Sequence, residues 1–495
     1  SLNGCNTCQR LPPAKDDCVL PLQRRLKLLP PGLVLIACLG FCAGAFADSG
    51  LVYQSKIPWL DLEDSRMSRL KAPVFDAEVA VYEAGLANER AVMLVHGLGQ
   101  RAARDWSETI TTLAQDYHVI AVDLPGFGSS SKGNHPYNPD TYAQVLNAVA
   151  EATTDKAFTL VGHSMGGAVA LHFAALQPKK VERLMLVGVA GILHRTVYTG
   201  YLSRLGIRIL PHVFPRQEDV LSGMTQVALG HLSIKPEPEM LVFRNAILRQ
   251  ELLAADPERI AALGLVLQDF SFLLPEVSMP TLVIWGQDDD VAPLRTGRLL
   301  ASRLRSARLR IIPGVGHSPM LQAPEVFNKI LQTELARSQS EFAAVTAEQG
   351  YAIPRYSEST EHDVDCDGSN AELVLEGDYR NVRITSCDKV LIRNSHLAGL
   401  YVHDARIRVE NSHILGLGLR CNDAYVEVTG GSITGIDAVE CEDSVVDLAG
   451  VVVKGERTAL KGEDTQVYLS VSELHSPKGK GPAHAVVRVS DDSEF

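Results

Sequence analysis

The chain has 495 residues, 46% of them hydrophobic and 21% charged, and a formal net charge of −12. That length predicts two or three domains of roughly 150 to 200 residues each, and the apolar content suffices for a sizeable core. A net negative chain lacks the basic footprint that nucleic acid requires, which excludes nucleic acid as a partner. The charge is uneven: residues 361–495 carry 24 acidic and 13 basic side chains, against 33 and 29 in residues 48–360. The acidity belongs to the C-terminal part, which points to a different surface and a different role there.

Residues 1–47 read as a signal peptide or an N-terminal anchor. Arg24, Arg25 and Lys27 precede an apolar stretch from Gly32 to Ala47 that closes on Ala45-Phe46-Ala47. A basic region, an apolar core and an A-x-A site are the features of a secretory signal. Leu28 to Ala47 also approaches the length of about 20 residues that spans a bilayer, so membrane association through the N-terminus stays open. Leu35-Ile36-Ala37-Cys38 resembles a bacterial lipobox, but the apolar run continues past the cysteine. Either way the mature protein is expected outside the cytoplasm, periplasmic or secreted.

Residues 48–340 alternate short apolar runs with longer amphipathic ones. Ala91–His96, His118–Val122, Phe158–Val161, Arg183–Val187 and Thr281–Trp285 read as buried parallel strands. Phe75–Tyr82 reads as an earlier hairpin strand at the sheet edge. Thr141–Thr153, Gly166–Leu176 and Pro324–Ala336 read as helices. This alternation predicts a doubly wound α/β sheet, in which chemistry sits at the carboxyl ends of the strands. There lie His96-Gly97-Leu98-Gly99, Ser164, the run Asp288-Asp289-Asp290, and His317. A serine, an acid and a histidine thus follow one another in chain order at successive strand ends.

Five stretches carry a resemblance: HGLG at 96–99, DLPGFGSS at 123–130, GHSMGG at 162–167, WGQDDDVAP at 285–293 and GVGHSPM at 314–320. Together they resemble the α/β-hydrolase superfamily, in its esterase and monoacylglycerol-lipase-like branch. The resemblance implies a mostly parallel sheet under a helical cap, and a catalytic triad of Ser164, Asp289 and His317. It implies an oxyanion hole built from the backbone N–H groups of Leu98 and Met165. The chemistry agrees: a serine hydroxyl is a poor nucleophile unless a base, itself oriented by an acid, takes its proton. Gly162 and Gly166 let the chain turn sharply enough to present Ser164. Asp288 and Asp290 read as turn residues, His96 and His163 as braces for the loops, and Trp106 and Asp123 as packing and turn residues. Neither a cofactor nor a metal is implied.

Between 191 and 280 the alternation stops. Tyr198–Leu210, Asp219–Leu232 and Glu239–Leu253 read as cap helices, with Val197, Tyr198, Tyr201, Leu205, Met224 and Phe243 as candidates for an acyl slot. An apolar cap with few charged anchors favours an apolar acyl chain over a charged substrate.

The polar stretch 341–365 reads as a linker to a C-terminal domain over 366–495. There a repeat recurs around Asp388, Asp404, Asp423, Asp443 and Asp464. A period near 20 without helical pattern predicts an all-β, right-handed β-helix-like solenoid. Its ligand or partner is not legible, and the aspartates read as turn residues. Of nine cysteines, five lie before residue 48 and four, Cys366, Cys387, Cys421 and Cys441, lie in the repeats. Cys421 and Cys441 each stand two residues before a repeat aspartate, which stacks them on adjacent rungs about 4.8 Å apart, within disulfide reach. They form a bridge or a pair of buried thiols; Cys366 and Cys387 make a second possible pair at the first rung.

The reading as a whole is an exported serine hydrolase, a carboxylesterase or lipase acting on a small-molecule or lipid ester. The alternatives are carbon–carbon hydrolysis or perhydrolysis by the same serine, or an envelope binding or assembly protein whose β-helix carries the main role.

Overall fold

The computed structural model describes residues 50–198, 238–347 and 362–490. The N-terminal segment 1–47 and most of the expected cap helices Tyr198–Leu210 and Asp219–Leu232 lie outside the described residues, as do Tyr201, Leu205 and Met224. No helix among the described residues is long and apolar enough to cross a membrane.

The N-terminal part is an α/β-hydrolase fold built on a nine-stranded sheet. Its strands are β1 (Leu51–Ser55), β2 (Ser65–Lys71), β3 (Glu78–Ala84), β4 (Ala91–Val95), β5 (His118–Asp123), β6 (Phe158–His163), β7 (Val181–Val187), β8 (Thr281–Gly286) and β9 (Ala307–Ile312). Their order across the sheet is β1-β2-β3-β5-β4-β6-β7-β8-β9. The first three strands run antiparallel and β4 to β9 run parallel. β4, β6 and β8 are buried at every residue, as strands covered on both faces must be. The longer helices among the described residues are α1 (Ser107–Leu113), α2 (Pro139–Thr153), α3 (Met165–Leu176), α4 (Pro238–Arg244), α5 (Ala246–Leu253), α6 (Pro257–Val266), α7 (Leu294–Arg303), α8 (Pro324–Ala336) and α9 (Gln339–Ala347).

Three sequence expectations are corrected here. The strand placed at Phe75–Tyr82 begins at Glu78, because Phe75 and Asp76 take positive φ of 64° and 50° in the turn that joins it to β2. It also lies inside the sheet, paired with β2 on one side and β5 on the other. The single helix expected over Glu239–Leu253 is two. Asn245 interrupts it, and its side chain accepts from the amides of Ile247 and Leu248 at 2.9 and 3.2 Å, starting α5 afresh. The stretch read as linker opens inside α9, whose Phe342 is fully buried under the Arg183 guanidinium, 5.0 Å from the ring centre.

The C-terminal part is an all-β stack, consistent with a β-helix-like domain. Its strands β10 (Val364–Asp367), β11 (Leu373–Thr385), β12 (Val390–His403), β13 (Arg406–Asn422), β14 (Tyr425–Glu442), β15 (Val445–Ala449), β16 (Val452–Glu463), β17 (Thr465–Ser470) and β18 (Glu473–Ser476) pair in parallel from rung to rung. A final strand, Ala485–Val489, pairs antiparallel with β17. Along each strand apolar and polar residues alternate, and Val402, Cys421, Val439, Leu460 and their neighbours fill one interior cluster.

Two columns of corners bend each rung. One consists of Ser386, Asp404, Asp423, Asp443 and Asp464, all at φ between 43° and 51°. Aspartate tolerates this left-handed region better than most residues, which explains the repeat's most visible letter. Asp388 is the exception: the corner in its rung is Ser386, whose hydroxyl donates to Asp404 at 2.9 Å. The other column is Asn394, Asn411, Gly430, Gly450 and Val471.

Among the described residues the two parts meet along α7 and at His194. Arg295 reaches into the stack and donates to Asp447 at 2.6 and 3.1 Å, to Thr429 Oγ1 at 2.8 Å, and to the carbonyls of Val428 and Asp447. Burial alone would favour a neutral guanidinium, yet Asp447 and Glu427 hold its pKa well above the usual value. Arg298 pairs with Glu410 and Arg303 with Glu473. Ala449 and Val471 of the stack join the hydrolase core cluster, and the amide of His194 donates to Ser470 Oγ at 2.9 Å.

Cys421 is bonded to Cys441, and Cys366 to Cys387. Cys421 and Cys441 are register partners on adjacent rungs, with Cα atoms 4.5 Å apart. That bridge spans 20 residues of chain, and closing such a loop contributes about 3 kcal/mol. Mass spectrometry of non-reduced protein is expected to find both bridges, and Cys421→Ser should lower the melting temperature of the stack. Free thiols at both positions would contradict the pairing.

The seam also carries a pH dependence. Burial alone would raise the Glu473 carboxyl, but hydrogen bonds from Arg303 and His475 outweigh it and bring it down to about 2. A depressed carboxylate stabilises the fold above its unfolded value of about 4.3 and loses that contribution as pH falls through about 2. Melting curves between pH 5 and 2 should therefore show wild type losing more stability than Glu473→Gln.

Candidate active site

The centre of the site is a strand-to-helix corner. Ser164 stands between β6 and α3 with φ 54° and ψ −119°, a strained conformation for a residue with a Cβ. Its amide donates to Val187 O at 2.9 Å, and its carbonyl accepts from Gly167 at 3.0 Å. The turn is possible because neighbouring backbones touch. A Cβ on Gly162 would collide with the carbonyl of Gly166, and one on Gly166 with the carbonyls of Val95 and His96. The serine side chain thereby projects from the end of the strand, at the positive end of α3.

Three side chains from three strand ends meet there. His317 Nε2 lies 2.9 Å from Ser164 Oγ. On its other edge, His317 Nδ1 lies 2.9 and 3.1 Å from the two carboxylate oxygens of Asp289. This fixes the tautomer: Nδ1–H donates to the acid and Nε2 faces the serine with its lone pair. Asp289 is buried, whereas its neighbours Asp288 and Asp290 are exposed. The amides of Val291 and Ala292 donate to Asp289 Oδ1 at 2.9 and 2.8 Å, which fixes the carboxylate's orientation. Of the three consecutive aspartates, Asp289 is the one whose carboxylate meets His317.

The two histidines expected to brace loops have definite partners. His163 Nε2–H donates to the backbone carbonyl of His317 at 2.9 Å, and the two rings are 4.9 Å apart. Burial first, and the neighbouring His317 second, push its pKa down to about 3, so it stays neutral and holds the loop. His96 Nε2 accepts from the amide of Leu124 at 3.0 Å while Nδ1–H donates to Gly97 O at 2.6 Å. Asp123 is buried and accepts from Tyr82 OH and from the amides of Ala103 and Ser129. These contacts tie the 96–103 loop to the 123–130 loop. Trp106 is fully buried, with its ring edge-on to His163 at 6.3 Å.

Leu98 lies in the first of those loops, and Met165 is the first residue of α3, directly after Ser164. Among the described residues, neither amide donates to a protein acceptor. Of the candidate slot residues, Val197 and Tyr198 pack partly buried against the core, and Phe243 is buried within it. Among the described residues no group of three or more histidine, cysteine or carboxylate side chains is placed to hold a metal.

Sequence reasoning missed the arginine seam beside the acid loop. Its trace was a charge contrast: α7 carries Arg295, Arg298 and Arg303 with no acid, beside a strongly acidic C-terminal part.

Residues 92–330 match the model of the alpha/beta hydrolase family. A 2-hydroxy-6-oxo-6-(2'-aminophenyl)hexa-2,4-dienoic acid hydrolase of Metapseudomonas resinovorans is 30% identical over 272 residues, 52% of this chain and 88% of that protein. A 2-hydroxy-6-oxononadienedioate/2-hydroxy-6-oxononatrienedioate hydrolase of a Pseudomonas species is 28% identical over 268 residues, 53% of this chain and 93% of that protein. Among solved structures, a thermophilic esterase from Thermogutta terrifontis is 24% identical, with 56% of this chain and 99% of that one aligned and a TM-score of 0.40. By the extent of its match to these sequences, the chain belongs to the alpha/beta hydrolase family.

Proposed function

We propose that the protein is an exported serine hydrolase that cleaves carboxylic esters with an apolar acyl group. The observation that carries this reading is the continuous hydrogen-bond chain Asp289–His317–Ser164 at a strained strand-to-helix corner. In the first half-reaction Ser164 Oγ attacks the ester carbonyl and its proton passes to His317 Nε2. The carbonyl oxygen takes negative charge, which the amides of Leu98 and Met165 stabilise; one such donor is worth about 2.7–4 kcal/mol in the transition state. His317 returns the proton to the departing alcohol, leaving an acyl-serine. Water, deprotonated by the same histidine, then releases the acid and restores the serine.

A second reading has support from the two dienoic-acid hydrolases: cleavage of a carbon–carbon bond beside a ketone by the same triad. Substrates of that kind are carboxylates and call for a cation in the pocket. Two arginines of the described cap region are already engaged, Arg195 opposite Glu239 at 3.8 Å, and Arg249 with Asn134 and the carbonyl of Phe243. The apolar Val197, Tyr198 and Phe243 of the described cap region favour the uncharged ester. Export is supported by the two disulfides, which persist in oxidising compartments.

Turnover of p-nitrophenyl esters of increasing chain length, beside a 2-hydroxy-6-oxo-dienoate, tests the two readings. The expected result is ester hydrolysis at least about a hundredfold above dienoate cleavage in kcat/KM; the reverse order would select the second reading. Within the triad, Ser164→Ala and His317→Ala should lower kcat by roughly ten-thousand-fold or more, and Asp289→Asn by about the same factor. Asp288→Asn should stay within about twofold. A severe loss in Asp288→Asn with a near-normal Asp289→Asn would overturn the assignment of the acid.

A further inference from the structure

We propose that the C-terminal stack is part of the hydrolase site, and that Arg295 is the positioning residue through which it holds the Asp289 carboxylate. The proposal rests on the Ser164–His317–Asp289 reading above. It follows from an unbroken run of contacts over seven residues. Asp289 Oδ1 accepts from the amides of Val291 and Ala292. The carbonyl of Ala292 accepts from the indole N–H of the fully buried Trp285 at 2.9 Å. Pro293 then starts α7, and its carbonyl accepts from Thr296 at 2.7 Å. Arg295, the second residue of that helix, is anchored in the stack by five hydrogen bonds to Thr429, Val428 and Asp447.

The loop that carries the acid is therefore fixed at both ends. At one end it leaves the sheet at Gly286, the last residue of β8. At the other end the first turn of α7 is tied to β14 and β15 by a guanidinium whose fork fits Asp447. Its side chain is only 12% exposed and that of Asp447 only 2%, so the pair is screened little by solvent. An acid that orients a catalytic histidine acts through geometry, and small displacements there are costly in rate. The opposite flank is tied as well. The segment after β7 passes Gly188, beside Asp289 and His317, and ends at His194, whose amide donates to Ser470 of the stack. The appendage thus grips both segments that flank the acid and base. A domain joined only by a linker would have neither contact.

The test uses the full chain and two readouts. The first is the rate at which an alkyl fluorophosphonate labels Ser164. In that reaction the Oγ–P bond forms, the P–F bond breaks, fluoride leaves and His317 takes the serine proton, so the rate reports activation of the serine whatever the natural substrate. The second is kcat and KM on the best p-nitrophenyl ester. Arg295→Ala/Asp447→Ala removes both buried charges and leaves only the partly exposed Glu427 without its arginine. It should label at least about tenfold more slowly, with kcat reduced in proportion and KM within about twofold. Arg295→Lys, which keeps the charge, should recover part of the rate. Arg380→Ala breaks an exposed ion pair with Asp363 elsewhere on the stack and should label at the wild-type rate.

Labelling of the folded double variant within about twofold of wild type would overturn the proposal, as would an equal slowing in Arg380→Ala. If the double variant does not fold, Asp447→Asn takes its place, with slowing of at least about threefold as the criterion. Wild type that labels at Ser164 but hydrolyses no ester would refute the ester reading and leave the labelling comparison, and so this proposal, intact.

Discussion

The backbone at Ser164 is the constraint around which the N-terminal part is organised. A residue with a side chain held at φ 54° and ψ −119° costs on the order of 1–3 kcal/mol, and persists only where its surroundings leave it no alternative. Here the surroundings are specific: the amide is tied to β7, the following helix starts at once, and glycines at 162 and 166 let backbones touch on both sides. Packing against β4 fixes where the helix begins, and the start of the helix fixes where the serine projects. The parallel sheet, the placement of β4 and β7 beside β6, and the fully buried β6 are all needed to maintain this one turn.

Around that fixed point the other groups are held by backbone as much as by side chains. Asp289 is oriented by two amides of its own loop, and His317 by the acid on one edge and by His163 at its carbonyl. His163 can do this because burial keeps it neutral, and so a simple donor. The two imidazoles sit in different environments: His163 is buried and held neutral, while the half-buried His317 faces the serine.

The C-terminal stack follows a different economy of structure. Its rungs are made by alternation and by two columns of left-handed corners, so each rung depends chiefly on its neighbours. The antiparallel strand Ala485–Val489 covers the edge of β17. Where the stack meets α7 the solvent-facing pattern changes. Ala449 and Val471 become part of the hydrolase core, and the buried ion pair of Arg295 and Asp447 sets the register between the two. A buried pair of this kind contributes modestly to net stability but strongly disfavours any other alignment, since either partner alone would be buried unpaired.

Much of this was legible in the chain itself. The parallel strands, the elbow and the histidine at 317 could be read because each depends on local rules: continuous apolar runs, small residues at a tight turn, and polar residues at strand ends. The solenoid period and the stacking of Cys421 on Cys441 were legible for the same reason, since a repeat records its own register. Errors arose where a local pattern had two solutions. Phe75 and Asp76 looked like strand until a turn took them, Asp388 looked like a repeat corner while Ser386 occupied it, and Asn245 divided a helix that periodicity had joined. Among three aspartates the family resemblance pointed to Asp289, but that its carboxylate is the one buried against His317 is a matter of packing that the local sequence does not contain. The seam required more still. Arg295 and Asp447 stand 152 residues apart, and nothing near either residue specifies the other. Only the folded chain brings a basic helix face against an acidic stack, because ion pairing across such a distance depends on where two independently formed surfaces come to rest.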